Sequence, residues 1–219
     1  MRAQAPTHRP TWVLVLSSLM LVTSGSSLAF GLMRVQDPVA ALPLDSNKVN
    51  DTAAELQLSQ RLAAVRIAAV TPHRQALRAD AIAEIGLALF GLYATAAVLS
   101  RDRHGRRLAL GVGAAVIVYR LASLPMYLAL MRDYAERGAE VMAEALLQTP
   151  GFRTDLTAAE LAVGLKATMV KWPIIVAAVC IAGALVLMLY FGGRRGRALY
   201  GIAAPAPGVR VATPRDGNG

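Results

Sequence analysis

Glu84 and Arg120 are ionisable side chains embedded in apolar sequence, Glu84 in the run 81–99 and Arg120 in the run 108–131. An arginine at the centre of a bilayer costs at least about 2.5 kcal/mol. Arg120 must therefore face protein, and Glu84 is its candidate partner. Counted along the helical rise, Arg120 stands about 18 Å and Glu84 about 22 Å from the same end of their segments, a gap that a long side chain can bridge. Such a pair has two uses. It is either a structural ion pair that fixes helix register, or a polar site for an ion, a proton or an anionic lipid headgroup. Pro125 frees the carbonyl of Leu121 and is a candidate kink beside the pair, with Tyr119 and Tyr127 adding hydroxyls nearby. Pro173 is a second candidate kink, in the last apolar run.

Other chemistry finds little support. His8, His73 and His104 all lie outside the apolar runs, so they cannot form a bis-histidine haem site or an intramembrane zinc site. There is no His-Glu-x-x-His, no Gly-x-Ser-x-Gly and no P-loop, and Gly111 with Gly113 lacks the strand and third glycine of a dinucleotide fingerprint. Cys180, the only cysteine, cannot make an intrachain disulfide or a reactive thiol pair. Glu136, Glu140 and Glu144 repeat at helical spacing as a solvated acidic face. The expectation is no catalytic residue, no metal and no cofactor.

The elements that must position Glu84 and Arg120 are four apolar runs, 12–33, 81–99, 108–131 and 172–191, each long enough to cross the ~30 Å core of a bilayer as a helix. Arg2 and Arg9 before the first run, and the small residues near Ala29, resemble a signal peptide. A run of about 20 residues exceeds the usual 7–15 of its apolar core, which favours a retained signal-anchor.

Charge then orients the chain. Residues 1–11, 100–107 and 192–219 carry 11 Lys/Arg against 2 acids, whereas 34–80 and 132–171 carry 11 of each, so the whole formal +9 lies on one side. By the positive-inside bias both termini and the 100–107 loop are cytoplasmic, and 34–80 and 132–171 are extracytoplasmic. The sequence pI near 10.4 is thus a topological signal, and without a basic surface interleaved with aromatics no nucleic-acid partner is expected. Arginine outnumbers lysine 20 to 3 and alanine is abundant, the pattern of a GC-rich bacterial genome and hence of an inner-membrane protein.

The outer segments read as helices. Leu56, Leu62, Val65 and Ala69 recur at helical spacing and should pack near Val141, Ala145 and Leu161 as a cap. Thr71 and Pro72 read as the N-cap and first residue of the helix entering the second span. Asp37-Pro38 and 42–47 read as an extended connector, and Thr149-Pro150-Gly151 as a stop. Thr157 and Glu160 have capping-box spacing ahead of the fourth span. Gly91 with Thr95, Gly111 with Ala115 and Ala178 with Ala182 are small pairs suited to close packing within the bundle. The segment 192–219 reads as a basic, disordered tail.

The expected fold is all-α, an integral membrane four-helix bundle with helical extracytoplasmic extensions. The expected function is non-enzymatic, an interaction or assembly subunit of a larger membrane complex or homo-oligomer. The alternative is a small transport or lipid-handling protein with its site around Arg120 and Glu84.

Overall fold

The computed structural model describes residues 11–42, 53–100, 102, 104–148 and 154–200. The N-terminal tail, the connector from residue 43, the stop at 149–151 and the tail beyond 200 lie outside them. Helices account for nearly all of what is described, with no strand among the described residues. They are α1 (Thr11–Gln36), α2 (Ala53–Val70), α3 (Arg74–Leu99), α4 (Gly105–Gln148), α5 (Ala158–Gly192) and α6 (Arg194–Leu199). Among the described residues, α1, α2 with α3, α4 and α5 supply four helical stretches long and apolar enough to cross a membrane. They mark a multi-pass membrane protein.

α4 has 44 residues, about 66 Å at the helical rise and twice a bilayer core. α5 has 35 residues. Pro125 and Pro173 both stand inside these helices, which run on through them.

The near end of the bundle is where α1 begins, α3 ends, α4 begins and α5 ends. There Val13, Leu16 and Met20 of α1 pack with Ala94 and Val98 of α3, Ala109 and Val112 of α4, and Leu187 and Phe191 of α5. Further along, α1 packs on α3, α4 packs on α5, and α3 joins the two pairs through α4. Close approach follows from small residues. A Cβ on Gly91 would strike the Ser24 side chain, and one on Gly113 would lie 2.5 Å from Met188 Cγ. Gly91 and Thr95 are buried. Ala178 and Ala182 are exposed, and the inner face of α5 is carried instead by Ala177 and Ala184. Alanine is so frequent here that its spacing alone does not pick out the packed face.

At the far end α2 lies against α4. Ala69, Val70 and Leu77 join Leu130, Met131 and Tyr134, with Val65 packed against that cluster. Gly138 makes room for Val65, whose Cγ1 lies 3.0 Å from where a Cβ would stand. Arg61 bonds Glu144 at 2.8 Å and His73 bonds Asp133 at 2.9 Å across the same seam. Of the expected stripe, Val65 and Ala69 pack on α4, but around Tyr134 and Gly138, while the side chain of Leu56 lies outside those described. Leu161 packs with Ala139 and Ala143 on the separate α4–α5 seam.

Two local expectations change. Thr71 is not an N-cap: its hydroxyl donates to the carbonyl of Ile67 at 2.7 Å. Residues Thr71–His73 form a 3₁₀ turn that carries α2 into α3 without a loop. Proline near the start of that turn gives up an N–H and tightens the helix without ending it. Asp37 begins a second 3₁₀ turn, Pro38–Ala41, which it caps by accepting from Val39 N at 3.0 Å. An Asx side chain offers the backbone that local bond, so this stretch is folded where an extended connector was expected.

The Thr157–Glu160 capping box is present, with Glu160 N donating to Thr157 Oγ1 and Thr157 N to Glu160. The hydrogen bonds from the backbone and hydroxyl of Thr157 hold the Glu160 carboxyl below the usual carboxylate range. After α5 the chain adds the short α6 within the expected tail, and Arg197 Nε reaches back to the carbonyl of Gly192 at 3.3 Å.

Candidate functional site

Glu84 occupies the inward stripe of α3 with Leu77, Asp80, Ala81 and Ala88. Asp80 and Glu84 are four residues apart, so both carboxylates point from one face into the seam between α1 and α4. The last turn of α1 supplies the charge that answers them. Arg34 is buried, its side chain 9% exposed, and pairs with Glu84 through Nη2 and with Asp80 through Nη1 at 3.1 Å. Tyr127 of α4 completes the arrangement. Its hydroxyl donates to Asp80 Oδ2 at 2.7 Å and accepts from Arg34 Nη1. One guanidinium thus serves two carboxylates, and a phenol locks one of them to a third helix.

Arg120 sits about two turns nearer the near end than Tyr127. Its Nη2 lies 3.8 Å from Glu84 Oε1, and its guanidinium lies over the Tyr119 ring, 5.2 Å from the centroid. The sequence-predicted residues therefore do come together, but Arg34 is the main partner of Glu84 and Arg120 is a second, looser one. The four charges balance, two of each sign. Taking charges out of water is costly unless geometry and further hydrogen bonds compensate, and Arg34 with Tyr127 provides both.

Arg34 and Asp80 are absent from the sequence-derived pair because they bound the apolar runs, Arg34 just after 12–33 and Asp80 just before 81–99. A boundary drawn at the first charge assigns that charge to the loop. The usable signal was the spacing of Asp80 from Glu84, which places both acids on one helical face and calls for more than one arginine.

Beside this cluster lies a cleft of about 590 Å³ between α1 and α5, with α4 as its floor. This falls within the range of small-molecule sites. Phe30 and Arg34 line it from α1, Arg120, Ser123, Leu124, Tyr127 and Met131 from α4, and Trp172, Pro173, Val176 and Ala177 from α5. Phe30 is 58% and Trp172 52% exposed, so they form its rim, and its mouth opens between the two outer helices. The kink candidate Pro173 is thus a wall of this cleft.

The remaining expected features are placed elsewhere. Cys180 is free and half-buried. Glu136 and Glu140 are exposed, and Glu144 holds Arg61. No cluster of three metal-ligating side chains occurs among the described residues. No family model, characterised protein or solved structure matches the chain, so its function has to be argued from this geometry.

Proposed function

We propose that this chain is a non-catalytic protein of the bacterial inner membrane, with both termini cytoplasmic, that takes an amphiphile from the bilayer into the cleft between α1 and α5. The observation that carries this reading is the cleft itself. It is apolar along most of its wall, charged at Arg120 and Glu84, and open sideways past Phe30 and Trp172, where four-span insertion puts lipid. With the charge excess at the near end facing the cytoplasm, the cleft lies in the outer half of the bilayer.

Protein purified in mild detergent should retain a stoichiometric amphiphile, detected by native mass spectrometry. Val176→Trp, which fills the cleft, should reduce its occupancy at least about tenfold, the scale of losing 1.4 kcal/mol of binding. Val179→Trp, on the exposed face of the same helix, should leave occupancy unchanged. Equal occupancy in both variants would rule the cleft out as the binding site. The orientation has its own test. Reporters fused after Gly105 and after Arg197 should be active only as cytoplasmic reporters, and periplasmic activity at either position would invert the topology.

A second reading is an interaction or assembly subunit of a membrane complex or homo-oligomer. It draws on the exposed pair Ala178 and Ala182, which would let a neighbouring helix approach α5 closely. A stoichiometric protein partner with no bound amphiphile would favour it.

A further inference from the structure

Two polar groups in the cleft are not consumed by the charge cluster. Arg120 is 21% exposed, and its 3.8 Å approach to Glu84 leaves it without a hydrogen bond among the described residues. Ser123 lies three residues on, on the same side of α4, and also lines the cleft, with little of the residue exposed. A guanidinium and a hydroxyl side by side are donors for one oxyanion. Both face the cleft, where a ligand could accept from them together.

The charge balance narrows the class of anion. Arg34, Asp80, Glu84 and Arg120 sum to zero. Glu84 also holds Arg34, so Arg120 can turn to a ligand without leaving a carboxylate bare. Because the four charges already balance, a monoanion leaves one charge uncompensated and a dianion two. Each charge held against apolar walls is costly, which favours the smaller charge.

Position narrows the class again. Arg120 lies about 10 Å along α4 from Tyr127, and the lining ends there with Glu84 and Ala177, while Phe30 and Trp172 form the mouth. A terminal carboxylate can reach that end with its chain trailing out through the mouth. A phosphodiester carries a substituent on each side of its charge and so is bulkier than a carboxylate beside Arg120.

We propose that the cleft binds a single-chain amphiphile ending in a carboxylate, held by Arg120 and Ser123, with its chain leaving between Phe30 and Trp172. This rests on the cleft being an amphiphile site and specifies what it recognises.

The test uses the full chain in detergent micelles with radiolabelled palmitate as probe. Binding should be saturable, competed by unlabelled palmitate, and little affected by hexadecanol or dioleoylphosphatidylglycerol at equal concentration. Arg120→Gln should weaken it about 10- to 100-fold, the scale of a lost charge-assisted hydrogen bond, and Ser123→Ala several-fold. Glu84→Gln should strengthen it, because Arg120 loses its competitor. A variant that merely damaged the fold would weaken binding, so the opposite signs separate recognition from structure. Should Arg120→Gln not fold, Glu84→Gln decides: where its thermal unfolding matches the wild type, unchanged or weaker binding overturns the proposal. Where it does not, Arg120→Lys, which keeps the charge and the fold, must still bind more weakly than the wild type. Wild-type affinity in Arg120→Gln, or displacement by hexadecanol or phosphatidylglycerol as effective as by palmitate, would also overturn the proposal. Those results leave the cleft as an amphiphile site and reject only the carboxylate class. Failure of Val176→Trp to empty the cleft rejects the broader reading.

Discussion

Arg34→Ala is expected to destabilise the folded protein by about 3–5 kcal/mol, the cost of stripping the partner from buried charge. Arg34 is the hub for Asp80, Glu84 and Tyr127, and its removal leaves two carboxylates four residues apart on one helix face with only Arg120 and a phenol to share. Arg120→Ala should cost clearly less, because Glu84 keeps Arg34. This differs from what a simple Glu84–Arg120 pair would require. Unfolding of each variant in mixed micelles, arranged as double-mutant cycles, checks the ranking. Coupling between Arg34 and Glu84 should exceed that between Arg120 and Glu84. If Arg34→Ala lies within about 1 kcal/mol of the wild type, the cluster is not a stabilising centre.

Gly31→Leu should be of comparable severity for a different reason. A Cβ at Gly31 would lie 2.8 Å from Ile85 Cγ1 and 3.3 Å from the carbonyl oxygen of Ala81. Even a methyl meets both, so alanine already presses α1 off α3, and the longer side chain of leucine presses it farther. Overpacking of this kind costs about 1–3 kcal/mol by itself. Gly31 is also one turn before Arg34, so the same displacement draws the guanidinium off Asp80 and Glu84. Gly31→Ala should therefore cost stability, and Gly31→Leu clearly more. Its cost should also be strongly non-additive with that of Arg34→Ala, since both break the same contacts. Additive effects in the double variant would show that the two helices separate without disturbing the charge cluster.

Much of this architecture is legible in the residues because its cause is local. Runs such as 108–131 and 172–191 combine length and apolarity that only a helix can carry across a bilayer, where every backbone polar group needs an internal partner. The capping box at Thr157 and Glu160 needs only two residues three apart, and it forms as its spacing requires. Arg120 had to face protein because its charge forbids lipid. Even the stripe of α2 through Val65 and Ala69 declares an inner face. Each of these follows from the chemistry of a few neighbouring residues.

Partner choice is not local, and there the tertiary structure decided. Whether Glu84 meets Arg120 or Arg34 depends on α1 lying against α3, an approach made possible by Gly31 and Gly91 and invisible in the spacing of charges. Thr71-Pro72 has the residues of a helix start, yet α2 passes straight into α3, because α2 buries Ala69 and Val70 against α4 and the hydroxyl of Thr71 finds a carbonyl behind it. The cleft is the clearest case. Its walls come from residues up to 147 positions apart, Phe30 to Ala177. It exists because α1 and α5 share one apolar cluster at the near end while α1 packs on α3 and α5 on α4. A chain specifies its helices through short-range chemistry, but the space between two helices is set by what both of them pack against.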